Sequence, residues 1–270
     1  AMISLSGDGK TVAVGSPYSD LNGVNAGHVH VYENINGTWV QLGQNIVGEL
    51  AGDESGISVS INFDGSIVAI GATGNDGNGS NSGHVRIYEN IGGSWSQIGL
   101  DIDGEHPDDA SGRSISISTD GSIVAIGTPD NNDAFYKAGH VRVFENIFGT
   151  WTQIGQDIDG EGQLYYSGES ISISGDGNKI IIGAIGPINN NYTGQACIYQ
   201  NVSGNWIKLG QNIFGENPGD ESGDAVAISS DGNTVVIGAP NSTTNGYVKV
   251  FNVLDSLLCA GCTDSLALNY

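Results

Sequence analysis

The stretch SISISTDGSIVAIGTPDNNDAFYKAGHVRVFENIFGTWTQIGQDIDGE, residues 114–161, decides the fold, because edited copies of it precede and follow it. An Asp-Gly pair recurs in steps of 56, 56, 56 and 55 residues, at Asp8, Asp64, Asp120, Asp176 and Asp231. A tryptophan recurs in steps of 56, 56 and 55 residues, at Trp39, Trp95, Trp151 and Trp206. A period this regular indicates stacked or radial copies of one supersecondary unit.

Four segments of the quoted unit carry the signals of β-strands. Serine and isoleucine alternate over residues 114–118, and residues 140–145 alternate again, as in half-buried strands. Residues 123–126 are a short apolar run bounded by turn residues, and a fourth segment extends from Trp151 to Ile158. Asp-Gly joins the first two segments and Asn-x-x-Gly the last two. Both predict tight hairpins, because glycine supplies the positive φ that such turns need.

Each unit is therefore predicted to be a four-stranded antiparallel meander. Five meanders around an axis form an all-β fold, the β-propeller, in which each blade covers its neighbour and the serine-rich first strand lies nearest the axis. We place the propeller at residues 1–254, with units at 1–47, 48–103, 104–159, 160–214 and 215–254, and a tail leading to a following module at 255–270. The fifth unit lacks its tryptophan-bearing outer strand, so we expect nineteen strands, four in each of four units and three in the fifth.

The balance of charge excludes some functions. Eight basic residues against thirty acidic ones give a formal net charge of −22. This charge argues against nucleic acid as a partner, because such binding depends on Lys and Arg neutralising phosphates, and against adsorption to anionic membranes. No apolar run approaches the roughly 18 residues that a membrane span needs, so no direct membrane insertion is predicted. An acidic surface permits cation binding.

Two short glycine motifs recur at the ends of strands. Ser-Gly precedes the first strand at Ser55, Ser111, Ser167 and Ser222. Gly-Ala-Pro follows the second strand at Gly238, and edited forms of it stand at Gly15, Gly71 and Gly127. Together with Gly-x-Val-x-Val-Phe in the third strand, the pattern resembles the FG-GAP repeat of integrin α-subunit propellers and their bacterial relatives. The resemblance implies adhesion at a cell surface, and the seven blades usual in that family imply two more upstream.

The tail carries a second resemblance. Residues 261–270, GCTDSLALNY, resemble the opening of a cysteine-containing CTDxxAxNY repeat of large secreted surface proteins of Bacteroidota. This implies that the propeller is one monomeric module of a longer extracellular chain. Cys259 and Cys262 lie in the tail, where a local or interdomain disulfide is the favoured interpretation and two free thiols the alternative. Cys197 lies in a predicted strand and is expected to be a small buried hydrophobe.

The long loops between second and third strands are the predicted place of binding. They span residues 16–26, 72–82, 128–138, 184–193 and 239–245. In a meander they share one rim with the links between blades, whereas the opposite rim carries only tight turns. Loops on a rigid scaffold are where function usually sits, so we expect binding on this long-loop rim.

Alternating oxygen donors in these loops are typical of calcium ligands. The candidates are Asp76, Asn78 and Ser80 in the second unit, Asp20 and Asn22 in the first, and Asp130 and Asn132 in the third. The alternative is that these Asp and Asn side chains form turns by bonding their own backbone. Calcium is the one cofactor that the sequence suggests.

An aromatic-rich part of the rim is the second candidate site. It comprises His106, Phe135, Tyr136, Tyr165 and Tyr166. Aromatic rings suit sugar stacking or a protein hot spot, and the alternative is ordinary loop packing.

Repeated acids and histidines complete the candidates. The blade links carry a set of repeated carboxylates, namely Glu49, Glu105, Glu161 and Glu216 with Asp53, Asp109 and Asp220. These residues are predicted to accept backbone N–H bonds in a repeated turn, with cation or sugar binding by a ring of carboxylates as the alternative. Gly-His recurs at His28, His84 and His140. Equivalent third-strand positions on adjacent blades lie more than ~10 Å apart, so these histidines cannot share a metal with one another, and strand-edge packing is expected.

The sequence favours a non-catalytic extracellular module for adhesion or recognition. A hydrolase needs two carboxylates in different environments or a nucleophile beside a base, and no such set stands out, so no catalytic residue is predicted. The expected partner is a protein or glycan of a host, a neighbouring cell or a matrix, bound through the long-loop rim with assistance from calcium. The alternatives are a multivalent propeller lectin and a glycoside hydrolase with one central site.

Overall fold

The described part of the chain, residues 2–186, 192–241 and 246–253 of a computed structural model, folds into twenty-three β-strands in five antiparallel sheets. These residues contain no helix, and hence none long and apolar enough to cross a membrane. The candidate disulfide of Cys259 and Cys262, and the predicted tail, lie outside the described residues.

The strands follow one another as five copies of a meander. They are β1 (Ile3–Leu5), β2 (Thr11–Ser16), β3 (His28–Ile35), β4 (Thr38–Gln41) and β5 (Ile46–Val47); β6 (Ser58–Ile61), β7 (Ile67–Ala72), β8 (His84–Ile91), β9 (Ser94–Gln97) and β10 (Ile102–Asp103); β11 (Ser114–Ile117), β12 (Ile123–Thr128), β13 (His140–Ile147), β14 (Thr150–Gln153) and β15 (Ile158–Asp159); β16 (Ser167–Ile173), β17 (Lys179–Ala184), β18 (Gln195–Val202), β19 (Asn205–Lys208) and β20 (Ile213–Phe214); β21 (Ala225–Ile228), β22 (Thr234–Ala239) and β23 (Tyr247–Asn252). Each sheet is formed within one unit of the repeat, and the sheets are the blades of a β-propeller.

The first strand of each blade lies innermost. These strands contact one another in sequence, β1 with β6, β6 with β11, β11 with β16 and β16 with β21. The all-β fold, the five blades and the three-stranded fifth blade are confirmed for the described residues.

The prediction of nineteen strands is wrong, because the fourth strand of a complete blade is broken in two. In the third blade, β14 and β15 both pair with β13 where one strand was expected. Gly155 lies at the break with a φ of 73°, and a side chain there would collide with the backbone oxygen of Gly204 in the next blade. The same break occurs in each of the first four blades and adds four short strands.

The tight turns have the geometry that their glycines predict. Between β13 and β14, Phe148 and Gly149 have φ values of 52° and 86°, as in a type I′ turn. The Asn146 side chain closes this turn by accepting the Gly149 N–H at 2.7 Å. In the Asp-Gly turn before β12, Gly121 has a φ of 78°.

The two glycine motifs mark the closest approach of consecutive blades. Gly71, near the end of β7, faces the backbone oxygen of Gly112 in the Ser-Gly pair before β11, and a methyl group on Gly71 would collide with it. The same contact recurs at the other three junctions, between Gly15 and Gly56, Gly127 and Gly168, and Gly183 and Gly223. Glycine is therefore required here by the packing of one backbone on another.

The inner-strand serines join each blade to the next. Ser60 Oγ accepts the Ile117 N–H at 3.1 Å, and Ser116 Oγ accepts the Ile173 N–H at 3.0 Å. Equivalent bonds occur at the two other junctions, from Ile61 to Ser4 and from Ile228 to Ser172. The alternation of serine and isoleucine thus points hydroxyls toward the following blade and apolar side chains toward the preceding one.

An apolar core fills each of the four junctions between consecutive blades. At the first junction, Val29 and Val31 of one blade pack with Ile70 and Trp95 of the next. Trp95 Nε1 donates to the backbone oxygen of Leu42 at 2.8 Å, so the ring both fills the core and ties the outer strands together.

The two ends of this arc of blades are open in the described residues. On the first blade Ile3 and Leu5 are exposed, whereas their counterparts at internal junctions are partly or fully buried. On the fifth blade Val248 and Val250 are exposed in the same way. The expectation that every blade is covered on both sides therefore holds for the three internal blades and fails at the first and fifth.

The repeat provides a matched pair of variants that measures what one junction contributes. Trp95 is 4% exposed and Trp39, its counterpart on the open first face, is 45% exposed. We expect Trp95→Ala to lower the free energy of unfolding by about 3–5 kcal/mol, since it removes a buried ring and leaves the Leu42 oxygen unpaired. We expect Trp39→Ala to cost less than about 1 kcal/mol. Urea unfolding followed by circular dichroism measures both values, and equal losses would contradict an open first face.

The aspartates of the Asp-Gly turns are held ionised by hydrogen bonds. The Ser66 hydroxyl and backbone N–H donate to Asp64 Oδ1 at 2.5 and 3.0 Å and lower the pKa of Asp64. The Ser6 hydroxyl and the Lys10 N–H lower the pKa of Asp8 to about 2. The pKa is also lowered at the three remaining turns, at Asp120, Asp176 and Asp231.

These pKa values predict a loss of stability in acid. Because the turn carboxylates have a lower pKa in the folded chain than in the unfolded one, their contribution is complete above about pH 4 and is lost as the pH falls toward about 2. Asp64→Asn keeps an accepting oxygen but does not titrate, so it should weaken the dependence of unfolding free energy on pH in this window. Urea unfolding between pH 2 and 5 measures the slope. As a second test, Ser66→Ala should raise the pKa of Asp64 in an NMR titration, and an unchanged pKa would contradict the assignment.

Candidate functional site

In the first three units the long loops and the blade links lie on the same rim, as predicted, whereas the predicted loops 184–193 and 239–245 lie partly outside the described residues. Asn22, in the loop 16–26, donates through Nδ2 to the backbone oxygens of Gly48 and Glu49 in the following link, both at 2.9 Å. Asn78 makes the equivalent two bonds in the second unit, also at 2.9 Å. Each of these loops is therefore fixed to the link that follows it.

The candidate calcium ligands Asp20 and Asp76 accept bonds inside their own loops. Asp20 Oδ1 accepts the Asn25 N–H at 2.9 Å, and Asp76 Oδ1 accepts the Asn81 N–H at 2.8 Å. With the amide donors described above, these are the contacts of the turn-forming alternative. Each aspartate keeps a second carboxylate oxygen, so calcium binding at these loops stays a prediction.

The third-unit loop differs from the first two. Asn132 takes the position of Asp20, since its Oδ1 accepts the Lys137 N–H five residues later at 2.9 Å. Asp130 Oδ1 instead accepts a bond from Lys137 Nζ at 2.8 Å, which places an internal cation against it. Ser80, the remaining candidate, accepts a long bond of 3.4 Å from the side chain of Asn81.

Buried aspartates organise the links between blades. Asp109 Oδ2 accepts the His106 N–H at 2.9 Å and the Asn131 amide at 3.2 Å, and burial raises the pKa of Asp109. Asp53 and Asp220 each accept two backbone N–H groups of their own links at 2.9–3.0 Å. The prediction that these aspartates hold a repeated turn is confirmed.

The five aromatic candidates gather around the third-unit loop 128–138. Its backbone is bonded to the following link, with the Leu164 N–H donating to Tyr136 O at 2.8 Å and the Tyr166 N–H donating to Lys137 O at 3.1 Å. Phe135 and Tyr136 are 53% and 58% exposed. Two large rings therefore project to solvent from an anchored loop.

The other three aromatic candidates have local partners. His106 comes from the preceding link, and its Nε2 lies 3.1 Å from Asp133 Oδ1 in the loop. The Tyr165 ring lies against Gly162 within its own link. Tyr166 turns toward the axis and lines a cavity there.

That cavity, with a volume of about 440 Å³, opens where the loops of the middle blades approach the axis. Arg113 Nη2 and Nε donate to Glu169 Oε1 at 3.0 and 3.2 Å across the junction of the third and fourth blades. Asp130 and Tyr166 also line the cavity. Lys137 Nζ bonds Asp130 and lies 5.6 Å from the centre of the Tyr166 ring. Both carboxylates in this lining are thus paired with a cation.

Sequence reasoning missed Arg113, Glu169 and Lys137. For Arg113 and Glu169, a signal was present in the sequence. The residue after each Ser-Gly pair varies from unit to unit, whereas the Ser-Gly pair before it is the same in each. It is Ile57, Arg113, Glu169 and Asp224 in successive units, so opposite charges stand at consecutive places around the axis.

Two clusters of a histidine with two carboxylates lie at blade junctions. We call them the first His cluster, formed by Glu49, His84 and Asp101, and the second His cluster, formed by Glu105, His140 and Asp157. In each, one candidate ligand atom per residue lies within 4.8 Å of the others. Burial, reinforced by the neighbouring arginines, lowers the pKa of both histidines to about 4, so they are neutral at pH 7. Strand-edge packing of these two histidines was expected from the sequence, but their association with the link glutamates and with Asp101 and Asp157 was not.

Comparison with known proteins identifies the scaffold. No protein-family model and no curated protein sequence matches the chain. Among solved structures, TolB from Acinetobacter baumannii matches with a TM-score of 0.53 and 14% identity, over 94% of this chain and 51% of its own. A proposed 6-phosphogluconolactonase from Bacteroides uniformis matches with a TM-score of 0.53 and 16% identity, over 80% of this chain and 55% of its own. A proposed TolB from Agrobacterium tumefaciens matches with a TM-score of 0.52 and 14% identity, over 93% of this chain and 76% of its own.

At these identities the likeness shows the β-propeller fold alone. The chain spans about half the length of the first two structures. One of the three is named for a lactonase activity and the other two are not, so the shared scaffold does not decide between enzyme and binding module.

A variant of Asp109, the buried aspartate of the link after the second blade, tests whether this side chain holds the link and the loop in place. Asp109→Ala removes the acceptor of the His106 N–H and one of the two acceptors of the buried Asn131 amide, which also donates to Asp133 Oδ2 at 3.0 Å. We therefore expect a loss of about 1–3 kcal/mol in unfolding free energy. Amide exchange at His106 should accelerate. Asp108→Asn, at the exposed neighbouring position, should leave that exchange unchanged. Equal protection of His106 in Asp109→Ala and the unaltered protein would contradict the role given to Asp109.

Proposed function

We propose that this propeller is a non-catalytic recognition module that binds a protein or a glycan through the long-loop rim of its third blade. The observation that carries the proposal is the exposed pair Phe135 and Tyr136, held on an anchored loop beside the cavity lined by Arg113 and Glu169. Two exposed rings on the loop that also carries Asp130 combine apolar contact area with polar groups that fix orientation, as binding hot spots do.

The local charge also favours binding at this place. The chain as a whole has a net charge of −22, which repels acidic partners over most of its surface. Around the cavity, Arg113 and Lys137 balance Glu169 and Asp130. Since the lining is close to neutral, a neutral glycan or an uncharged protein patch meets less repulsion here than elsewhere.

The ion pairs support a non-catalytic role. General acid–base catalysis by two carboxylates needs environments that push their pKa values apart, with one group kept protonated. Asp130 and Glu169 instead each contact a cation, so the two carboxylates have similar surroundings.

The aromatic pair Phe135 and Tyr136 occurs in one of the first three units. This supports a single binding site per chain and disfavours a multivalent lectin, which would have one site in each blade. The three loops can be aligned on the side chain that accepts the N–H five residues later, which is Asp20, Asp76 or Asn132. In this alignment the first unit has Gly23 and Val24 at the positions of Phe135 and Tyr136. The second unit has Gly79 and Ser80 there. An aromatic pair is thus specific to the third unit among these three.

Three further parts of the proposal rest on sequence motifs. They are the assistance of calcium, a location at the cell surface within a longer chain, and a relation to the FG-GAP repeat. Calcium binding is supported by the free carboxylate oxygens of Asp20 and Asp76 on the same rim.

Binding to a glycan array and to immobilised extracellular-matrix proteins tests the proposal. We expect Phe135→Ala/Tyr136→Ala to weaken binding at least tenfold, about 1.4 kcal/mol or more, because both rings lose their contact area. Phe148→Ala is the matched control, because Phe148 is fully exposed in the β13–β14 turn on the opposite rim and its loss should change nothing.

Four results would redirect the proposal. Equal losses from the loop variant and from Phe148→Ala would remove the third-unit loop from the binding site. Several equivalent glycans bound per chain would favour the lectin. Release of reducing sugar from a bound glycan, abolished by Glu169→Gln, would establish a glycoside hydrolase. Chelation with EGTA that leaves both binding and melting temperature unchanged would remove calcium.

A further inference from the structure

We propose that the first and second His clusters bind divalent first-row transition metals, with Zn²⁺ as the typical occupant. Glu49 and Glu105 come from the links that follow the first and second blades. His84 with Asp101, and His140 with Asp157, come from the blades after those links. A bound ion would therefore join each link to the blade that follows it. This inference is independent of the proposed binding function.

The histidines are buried polar groups without partners. His84 is 1% exposed and His140 is 0% exposed, and neither ring nitrogen of either residue has a hydrogen-bond partner among the described residues. Glu105 Oε2 is likewise buried without a hydrogen bond. Leaving such atoms unpaired costs free energy, and most buried polar groups in proteins find a partner. A metal ion would supply one to the imidazole and the carboxylate together.

The spacing of the atoms suits a tetrahedral ion. His84 Nδ1 lies 3.6 Å from Asp101 Oδ2, and His140 Nδ1 lies 3.8 Å from Glu105 Oε2. Nitrogen and oxygen ligands lie about 2.0–2.2 Å from zinc, so two of them at a tetrahedral angle are about 3.4 Å apart. These two separations are within a few tenths of an ångström of that value, and the third ligand atom of each cluster lies within 4.8 Å of the other two. The two separations are too long for hydrogen bonds, which keep such atoms about 2.7–3.2 Å apart.

An arginine next to each cluster orients the glutamate. Arg86 Nη1 lies 3.3 Å from Glu49 Oε1, and its Nη2 donates to the Val47 oxygen at 3.1 Å. Arg142 holds Glu105 Oε1 in the same way, at 3.6 Å. In the second cluster the other oxygen, Oε2, faces the histidine. Two carboxylates and one guanidinium leave one net negative charge for the ion, and outer partners of this kind typically hold metal ligands in place.

At the next junction, the side chains equivalent to a His cluster form hydrogen bonds with one another. Gln195 stands in place of the histidine, and Asn212 in place of the second carboxylate. Asn212 Nδ2 donates to Gln195 Oε1 at 2.8 Å and to Glu161 Oε2 at 2.6 Å, and Lys208 pairs with Glu161. There the side chains satisfy one another directly, whereas in the two His clusters they do not.

The donor set selects the class of ion. One imidazole and two carboxylates form a mixed nitrogen and oxygen site with three protein ligands, which suits Zn²⁺, Co²⁺ or Mn²⁺. Calcium takes six to eight oxygen ligands and does not favour nitrogen. These clusters are therefore chemically distinct from the calcium sites predicted in the long loops.

Zinc titration of the full chain by calorimetry, with metal content measured after dialysis, tests the proposal. We expect two equivalents of Zn²⁺ per chain and a rise in melting temperature that EDTA reverses. His84→Gln/Asp101→Asn should reduce the count to one, and adding His140→Gln/Asp157→Asn should reduce it to zero. His28→Gln is the matched control, because His28 holds the equivalent strand position but Asn45 replaces the aspartate of its unit, and it should keep two equivalents.

The variants copy residues that the fourth unit already carries, so we expect them to fold, and circular dichroism in metal-free buffer checks this. Co²⁺ bound to the unaltered protein provides a second readout that needs no variant, since tetrahedral coordination gives visible absorption far stronger than that of the hydrated ion. Less than one equivalent of Zn²⁺ at 100 µM metal, or a Co²⁺ spectrum like that of the free ion, would overturn the proposal. So would a stoichiometry that falls with His28→Gln and not with the paired variants.

Discussion

The contact of one backbone with the next, at a pair of glycines in each junction, sets the geometry on which the rest of the propeller depends. Gly71 and Gly112 show it most simply, because no side chain separates the two chains there. At this separation Ser60 reaches the Ile117 N–H of the neighbouring inner strand. Farther out the blades diverge, and the gap is filled by valines, isoleucines and a tryptophan. The motifs that resemble the FG-GAP repeat are therefore explained by packing, whatever the ancestry of the chain.

The same geometry separates the two rims into different chemical environments. On the turn rim, the Asp-Gly turns hold ionised carboxylates with short bonds, such as that from Ser66 to Asp64. On the long-loop rim, Asp109 and the other link aspartates are buried and accept backbone bonds, which leaves the loops above them fixed in place. The backbone that carries Phe135 and Tyr136 is therefore already ordered before any partner binds. Such pre-organisation lowers the entropic cost of association.

The features that repeat could be predicted from the sequence, because the information for them lies within a single unit. Alternation, apolar runs and turn glycines defined the strands, and the period defined the blades. The break at Gly155 was missed although its positive φ is a conformation that favours glycine. The His clusters were missed because their members are far apart in the sequence. Glu49 in a blade link and His84 in a strand are separated by 35 residues, and neither is unusual alone. The Arg113–Glu169 pair was missed as well. These two residues occupy the same position in consecutive units and carry opposite charges, so the pair cannot be found within a single unit.

The number of covered faces has a consequence for local stability. In an array held by neighbour-to-neighbour contacts, a unit with one neighbour is less stable than a unit with two. Among the described residues, the first and fifth blades each have one face covered by another blade, whereas the third blade has both faces covered. Within this part of the chain, the loop 128–138 is therefore carried by a blade that opens less readily than the first and the fifth.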